Sequence, residues 1–252
     1  MRRRNRAESS ANLALLEGIR SLKSEHPFWG CRRIWAYLRY RKGQAFNIKR
    51  IYRLMKTHKL LVPKNAKLLA TRSSTKNKPR TARPDDYWGT DMTKIMLPGF
   101  GWCYLHLVID WGSKKLVGHH LSERSKTSDW LVALDRAVNQ QFPNGIHAVE
   151  RKPSLVSDHG CQPTSVEFMK SCAQLGIEQI FASYGNPKGN ADTERVIRTI
   201  KEDLIWVREF SCFSELEKAI DEWIRKYNTD FPHSALGYWT PYQYERWFKG
   251  VA

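Results

Sequence analysis

The sequence predicts an α/β domain built on a mixed sheet, preceded by a small all-α, helix-turn-helix-type region and a basic linker. Three observations carry this reading. Apolar residues recur at helical spacing up to about residue 60, and in strand-like runs after Asp85. The later segments run in the order three strands, a helix, a strand, a helix, a strand and then helices, which suits a layered domain with parallel and antiparallel strands in one sheet. The charge divides at the same point. The 252 residues hold 42 Lys+Arg and 25 Asp+Glu, a net of +17. Residues 1–84 carry 23 basic and 3 acidic residues (+20), whereas residues 85–252 carry 19 and 22 (−3).

In the first region, residues 8–24 read as a helix with Leu15, Ile19 and Leu22 on one face. His26-Pro27 breaks that pattern. A second segment follows Gly30, with Ile34 and Leu38 sharing a face with Cys31, and Gly43 ends it. Asn47 is a good N-cap for a third helix, NIKRIYRLMKTHKL, in which Ile48, Ile51 and Met55 are expected to be buried. Lys49, Arg50, Arg53 and Lys56 cover the rest of that helix. A basic helix fits the DNA major groove, where Lys and Arg reach phosphates and base edges, so these four are candidate DNA contacts. Any basic bundle shows the same spacing, so base readout does not follow from it. The region spans 1–61, and the polar, basic stretch 62–84 reads as an extended linker that can lie along phosphates.

In the second region, 87–95 and 101–110 read as strands, and 114–122 as a third joined by a hairpin turn. Residues 126–142 are expected to be helical. A short buried strand at Ser154–Ser157, a helix at 163–175 and a strand at 177–183 follow. The turn-rich stretch 184–191 leads to helices at 193–206 and 214–228. The α/β core is placed at 85–230, with a C-terminal helical extension at 231–252.

Composition excludes several classes. No run approaches the ~18 apolar residues that a membrane span needs, and the mean hydropathy is −0.57. The opening Met1-Arg2-Arg3-Arg4-Asn5-Arg6 lacks the apolar stretch of a secretory signal. Five cysteines without a C-x-x-C pair support neither a disulfide framework nor a zinc ribbon, so a reducing cytoplasm fits best. A basic chain of this kind meets a polyanion, most often nucleic acid.

Three carboxylates stand in unusual settings. Asp91 lies inside a strand, where Asp is disfavoured. Asp158 ends a short apolar strand, and Glu194 opens a helix behind a glycine-rich loop. Converging carboxylates without a His/Cys set make a hard-oxygen site suited to Mg²⁺ or Mn²⁺ rather than Zn²⁺. Two such ions suit phosphodiester chemistry. Taken singly, each acid also has a plain explanation: a strand-edge charge, a turn residue, and a helix N-terminal charge favoured by the dipole.

The motifs together resemble a family. WGTDMTKI with Asp91, SDHGCQPTS with Asp158 and GNPKGNADTERVIRTIKEDLI with Glu194 are similar to the larger-frame transposases of a major bacterial insertion-sequence family. These share a catalytic core with retroviral integrases. Asp158 and Glu194 are separated by 35 residues, the interval of the aspartate-aspartate-glutamate recombinases. FWGCRRIWAYLRYRKG and KRIYRLMKTHKL look like the family's helix-turn-helix region, and YNTDFPHSALGYWTPYQYE like its closing signature. The likeness spans roughly residues 25–245.

The resemblance implies an RNase H-like core and metal-dependent DNA cleavage and strand transfer during transposition. It implies two divalent ions held by Asp91, Asp158 and Glu194, with Asp91 shared. Lys201 falls seven residues after Glu194, where the family carries a basic residue, and with Arg198 is expected to touch DNA phosphates. The implied partners are the element ends, target DNA, further copies of the chain assembled on DNA, and an upstream-frame DNA-binding protein or fusion. The implied place of action is the bacterial nucleoid. A non-catalytic repressor derived from a transposase and an RNase H-like nuclease are the alternatives. The chain departs from relatives in carrying Arg195, where many have an aromatic residue, and from retroviral integrases in lacking a His/Cys zinc module. Asp110, expected as a turn residue, and Asp192, expected to cap the Glu194 helix, are the competing carboxylates.

Overall fold

A computed structural model of the chain describes residues 10–62, 81–182 and 190–250. The chain divides into two compact units, Met1–Thr71 and Arg72–Ala252. Most of the basic linker, the basic opening residues and most of the 184–191 stretch lie outside the described residues.

Among the described residues the first unit holds three helices: α1 (Ser10–Glu25), α2 (Cys31–Tyr40) and α3 (Ile48–Thr57). Leu15, Leu16, Ile19, Ile34, Ile51 and Met55 are buried between them, and Trp29 closes the core with the His26 ring stacked on it at 3.9 Å. The Asn47 side chain accepts the Lys49 N–H at 2.8 Å, as the N-cap expectation required. One expectation needs correction. Ile48, at the first position of α3, is only half-buried, and Leu54 takes the third core position beside Ile51 and Met55. The cause is position rather than phase: 48 shares the stripe of 51 and 55 but is the first residue of the helix, where less of the bundle covers it.

The second unit is a five-stranded sheet in the order β3-β2-β1-β4-β5. β1 (Tyr87–Leu97), β2 (Gly101–Asp110) and β3 (Leu116–Ser122) are antiparallel; β4 (Ser154–Ser157) and β5 (Glu178–Phe181) continue from β1 in parallel. α4 (Thr127–Gln141) and α5 (Val166–Leu175) cover one face. There Trp88, Val108 and Val117 pack with Trp130, Leu134, Phe168 and Cys172. α4 rests directly on β3, because a Cβ on Gly118 would stand 2.3 Å from the Ala133 carbonyl oxygen. The other face carries Ile95, Leu105, Leu107 and Ile109 under α6 (Ala191–Ile200) and α7 (Phe213–Asp230). Covering both faces explains why β2 is buried almost continuously and does not alternate.

A π-turn at Lys201–Ile205, closed by the Trp206 N–H on the Lys201 carbonyl at 2.8 Å, follows α6, so the expected helix 193–206 changes pitch after Ile200. The final helix, α8 (Pro241–Phe248), starts with a capping box between Thr240 and Gln243 and has Pro at its first position. Asn228 on α7 bonds both the N–H and the C=O of Leu116, each at 2.9 Å, at the sheet's edge strand.

Candidate active site

Asp91 sits in the middle of β1, on the face that α6 covers. β1 and β4 are parallel neighbours with Gly89 opposite Val156. Asp91 and Asp158 each stand two residues beyond that pair, and side chains repeat every two residues along a strand. The two carboxylates therefore come to the same level and the same face of adjacent strands, whose backbones are ~4.8 Å apart. Asp158 follows the last residue of β4, and its Oδ1 accepts the Gly160 N–H at 3.0 Å. Asp91 Oδ1 accepts the N–H of Met92 at 2.7 Å.

Glu194 lies in the first turn of α6. That turn is fastened to the sheet by buried polar contacts. The Trp111 indole N–H donates to Thr193 Oγ1 at 3.2 Å, and Asn190 Nδ2 donates to the Thr90 carbonyl at 3.2 Å. Gly89 makes the approach possible: a Cβ there would stand 2.0 Å from Thr193 Oγ1 and 2.4 Å from Trp111 Nε1.

The electrostatics at Asp91 register both other acids. Burial pushes the Asp91 carboxyl up from its ordinary 3.8 to about 6, and the charges of Asp158 and Glu194 push the same way. The Met92 N–H and the Lys201 ammonium oppose them without prevailing. A shift of about two units disfavours the ionised form by roughly 3 kcal/mol. Among the described residues, no group of three or more His, Cys, Asp and Glu side chains stands arranged to hold a metal ion. Asp91, Asp158 and Glu194 are hard-oxygen donors of the class that suits Mg²⁺ or Mn²⁺, and the charges of Asp158 and Glu194 both reach the half-buried Asp91.

The other sequence candidates separate clearly. The Lys201 charge reaches Asp91, whereas Arg198 pairs with Glu202 at 2.7 Å along the helix surface. Asp110 is fully buried and organises the β2–β3 turn, accepting N–H groups from Asp85, Gly112 and Ser113. Asp192 does not cap α6, which corrects the expectation. Asn190 holds the cap position, and Asp192 pairs with Lys114 at 3.6 Å. The exposed His159 has its ring against Phe181. In the first unit Lys49, Arg53 and Lys56 are exposed, while Arg50 is half-buried with its Nε bonded to Asn12 at 2.9 Å.

Known proteins match over both units. Integrase core domain families match residues 81–187 and 175–241, and an HTH-like domain family matches residues 10–67. A transposase (InsK) for insertion sequence element IS150 of Escherichia coli (strain K12) is 30% identical over 227 residues, covering 86% of this chain and 77% of that protein. The chain belongs to the insertion-sequence transposases. Transposases of this family cleave DNA and transfer strands. Two solved structures share the fold of this transposase. One is a chain of the simian T-cell lymphotropic virus intasome in complex with a PP2A regulatory subunit: TM-score 0.56, 18% identity, 83% of this chain and 73% of that one. The other is the catalytic domain of Mos1 transposase with Raltegravir and Mg: TM-score 0.50, 13% identity, 66% and 78%.

The transposase also contains a buried polar network that no sequence motif marks. Lys115 is buried between Glu245 of α8 and Gln141 of α4, at 2.6 Å from each. Gln141 joins Glu245 at 2.7 Å and Asp85 at 3.0 Å, and Asp85 accepts the Trp88 indole N–H at 3.1 Å. The closing signature thus ties the C-terminal helix to the start of β1. Only burial reveals this role, because Lys115 and Glu245 are separated by 129 residues of chain.

Proposed function

We propose that Asp91, Asp158 and Glu194 hold two divalent cations, Mg²⁺ or Mn²⁺, with Asp91 shared between them. The observation that supports this is that the charges of Asp158 and Glu194 both act on the half-buried Asp91 and help it retain its proton. The Mg named for the Mos1 catalytic domain supports the same ion class. Bound there, the ions would activate the attacking oxygen and stabilise charge on the leaving oxygen. The carboxylates would fix the ions' geometry, carried on β1, just beyond β4 and on the first turn of α6. Lys201 neutralises negative charge beside Asp91 and meets a DNA phosphate. Arg198, held by Glu202, contributes a weaker phosphate contact. Water attacks phosphorus in donor cleavage, breaking the P–O bond to free a 3′-hydroxyl. That hydroxyl then attacks a target phosphorus, the target's own P–O3′ bond breaks and its 3′-oxygen leaves as a new 3′-hydroxyl, and no protein–DNA bond forms.

Lys49, Arg50, Arg53 and Lys56 on α3 would hold the element end through its phosphates, Arg50 doing so through whatever donors Asn12 leaves. Two ends must be paired, so copies of the chain assemble on DNA, with an upstream-frame DNA-binding partner as a further component. The setting is the bacterial nucleoid. Strand transfer of an oligonucleotide carrying the element end into a circular target tests the reading. Activity with Mg²⁺ should vanish in EDTA and fall by 10³-fold or more in Asp91→Asn, Asp158→Asn and Glu194→Gln, with DNA binding retained. Full activity in any one variant would remove that residue from the site.

A further inference from the structure

The contact between the first turn of α6 and β1 is built to closer tolerance than helix–sheet packing requires. Gly89 lies two residues before Asp91, and Thr193 is the neighbour of Glu194. A single methyl group on Gly89 would collide with the Thr193 hydroxyl at 2.0 Å, with the Trp111 indole nitrogen at 2.4 Å and with Asn190 Oδ1 at 3.0 Å. Thr193, Trp111 and Asn190 are all buried, with exposures of 1%, 2% and 6%. Two hydrogen bonds fix the contact in direction as well as depth: Trp111 Nε1 to Thr193 Oγ1 and Asn190 Nδ2 to the Thr90 carbonyl. Asn190 therefore binds β1 at the residue directly before Asp91. Its Oδ1 has no hydrogen-bond partner among the described residues, an unfavourable arrangement for a buried amide that served packing alone.

We infer that Thr193, Trp111 and Asn190, seated against Gly89, are positioning residues that set the distance between Glu194 and Asp91. The inference rests on the reading that those two carboxylates share the cations. Glu194 is exposed and its side chain is long, so its own contacts cannot fix its place. The register of α6 on β1 can. Trp111 belongs to the β2–β3 turn that Asp110 organises, so the third partner of the clamp is itself rigidly held. Removing residues that orient metal-binding side chains typically lowers metal affinity or activity by about 10–100-fold.

The decisive variant is Thr193→Val, which keeps the shape and removes the acceptor for the Trp111 indole. Thr193→Ser restores the hydroxyl. The full chain would be titrated with Mn²⁺, following both melting temperature and strand transfer. Thr193→Val should raise the half-saturating Mn²⁺ concentration by roughly 10-fold or more in both readouts, with DNA affinity unchanged and with the effect reversed in Thr193→Ser. A Thr193→Val protein that melts earlier in the absence of metal but keeps the wild-type Mn²⁺ half-saturation would overturn the inference and leave a purely structural contact. Glu194→Gln in parallel separates the two levels. If it retains activity, the metal-site reading fails; if it is inactive while Thr193→Val titrates as wild type, only the clamp fails. Gly89→Ala should show the same shift in larger measure where it folds.

Discussion

The two units of the chain use charge in opposite ways. In the N-terminal unit no charged side chain is fully buried among the described residues. Lys49, Arg53 and Lys56 are exposed on α3, and the interior is Leu, Ile, Met and Trp. In the C-terminal unit the informative charges are inside. Asp110 is fully buried, Lys115 and Glu245 are nearly so, and Asp91 is half-buried against two like charges. Exposed charge is inexpensive and acts at long range, which suits grasping a polyanion. Buried charge is costly and needs defined partners, which suits fixing a few oxygens in place.

The largest effect expected from this contrast concerns stability. Breaking the buried Lys115–Glu245 pair by Lys115→Met should destabilise the C-terminal unit by about 3–5 kcal/mol, measured by urea unfolding. The N-terminal unit should melt unchanged. Equal loss in both units would erase the distinction between them.

A smaller effect, of opposite sign, is expected at the site. Asp91 is held near 6 and Asp110 is likewise pushed up to about 6, chiefly by burial. For such groups the contribution to stability is complete below about 3.8 and declines as pH rises through about 6. Asp91→Asn should therefore stabilise the metal-free protein by about 1–3 kcal/mol at pH 7.5 and by much less at pH 4, seen in thermal melts. Glu245 runs the other way. Burial would raise its carboxyl, but Lys115, Lys249 and Gln141 hold it below the ordinary 4.5. Its contribution is complete above that value and fades as pH falls below it.

The smallest effect on stability belongs to the exposed helix. Lys49→Ala, Arg53→Ala and Lys56→Ala should each change stability by no more than about 0.5 kcal/mol. Each that touches a phosphate should lower the salt dependence of DNA binding by about 0.9 in log–log slope.

Much of this was legible in the sequence because it is local. Strand-like apolar runs and helical spacing located the five described strands and most helices, and Asn47 announced the start of α3. The Asp91, Asp158 and Glu194 motifs pointed to the proposed site, since a strand-interior Asp is unusual. What escaped depends on three-dimensional approach. Gly89 reads as an ordinary strand glycine until Thr193 is found against it. Asp192 reads as a cap until Asn190 occupies that position. The Lys115–Glu245 pair looks like two solvated charges until both are buried.

The central claim is that three carboxylates far apart in sequence act as one cation-binding centre. Thermal melting of the full chain at pH 7.5, with and without Mn²⁺, tests it most directly. The wild type should gain melting temperature with Mn²⁺, and Asp91→Asn, Asp158→Asn and Glu194→Gln should each lose most of that gain. The same Mn²⁺-induced rise in all four proteins would contradict the account.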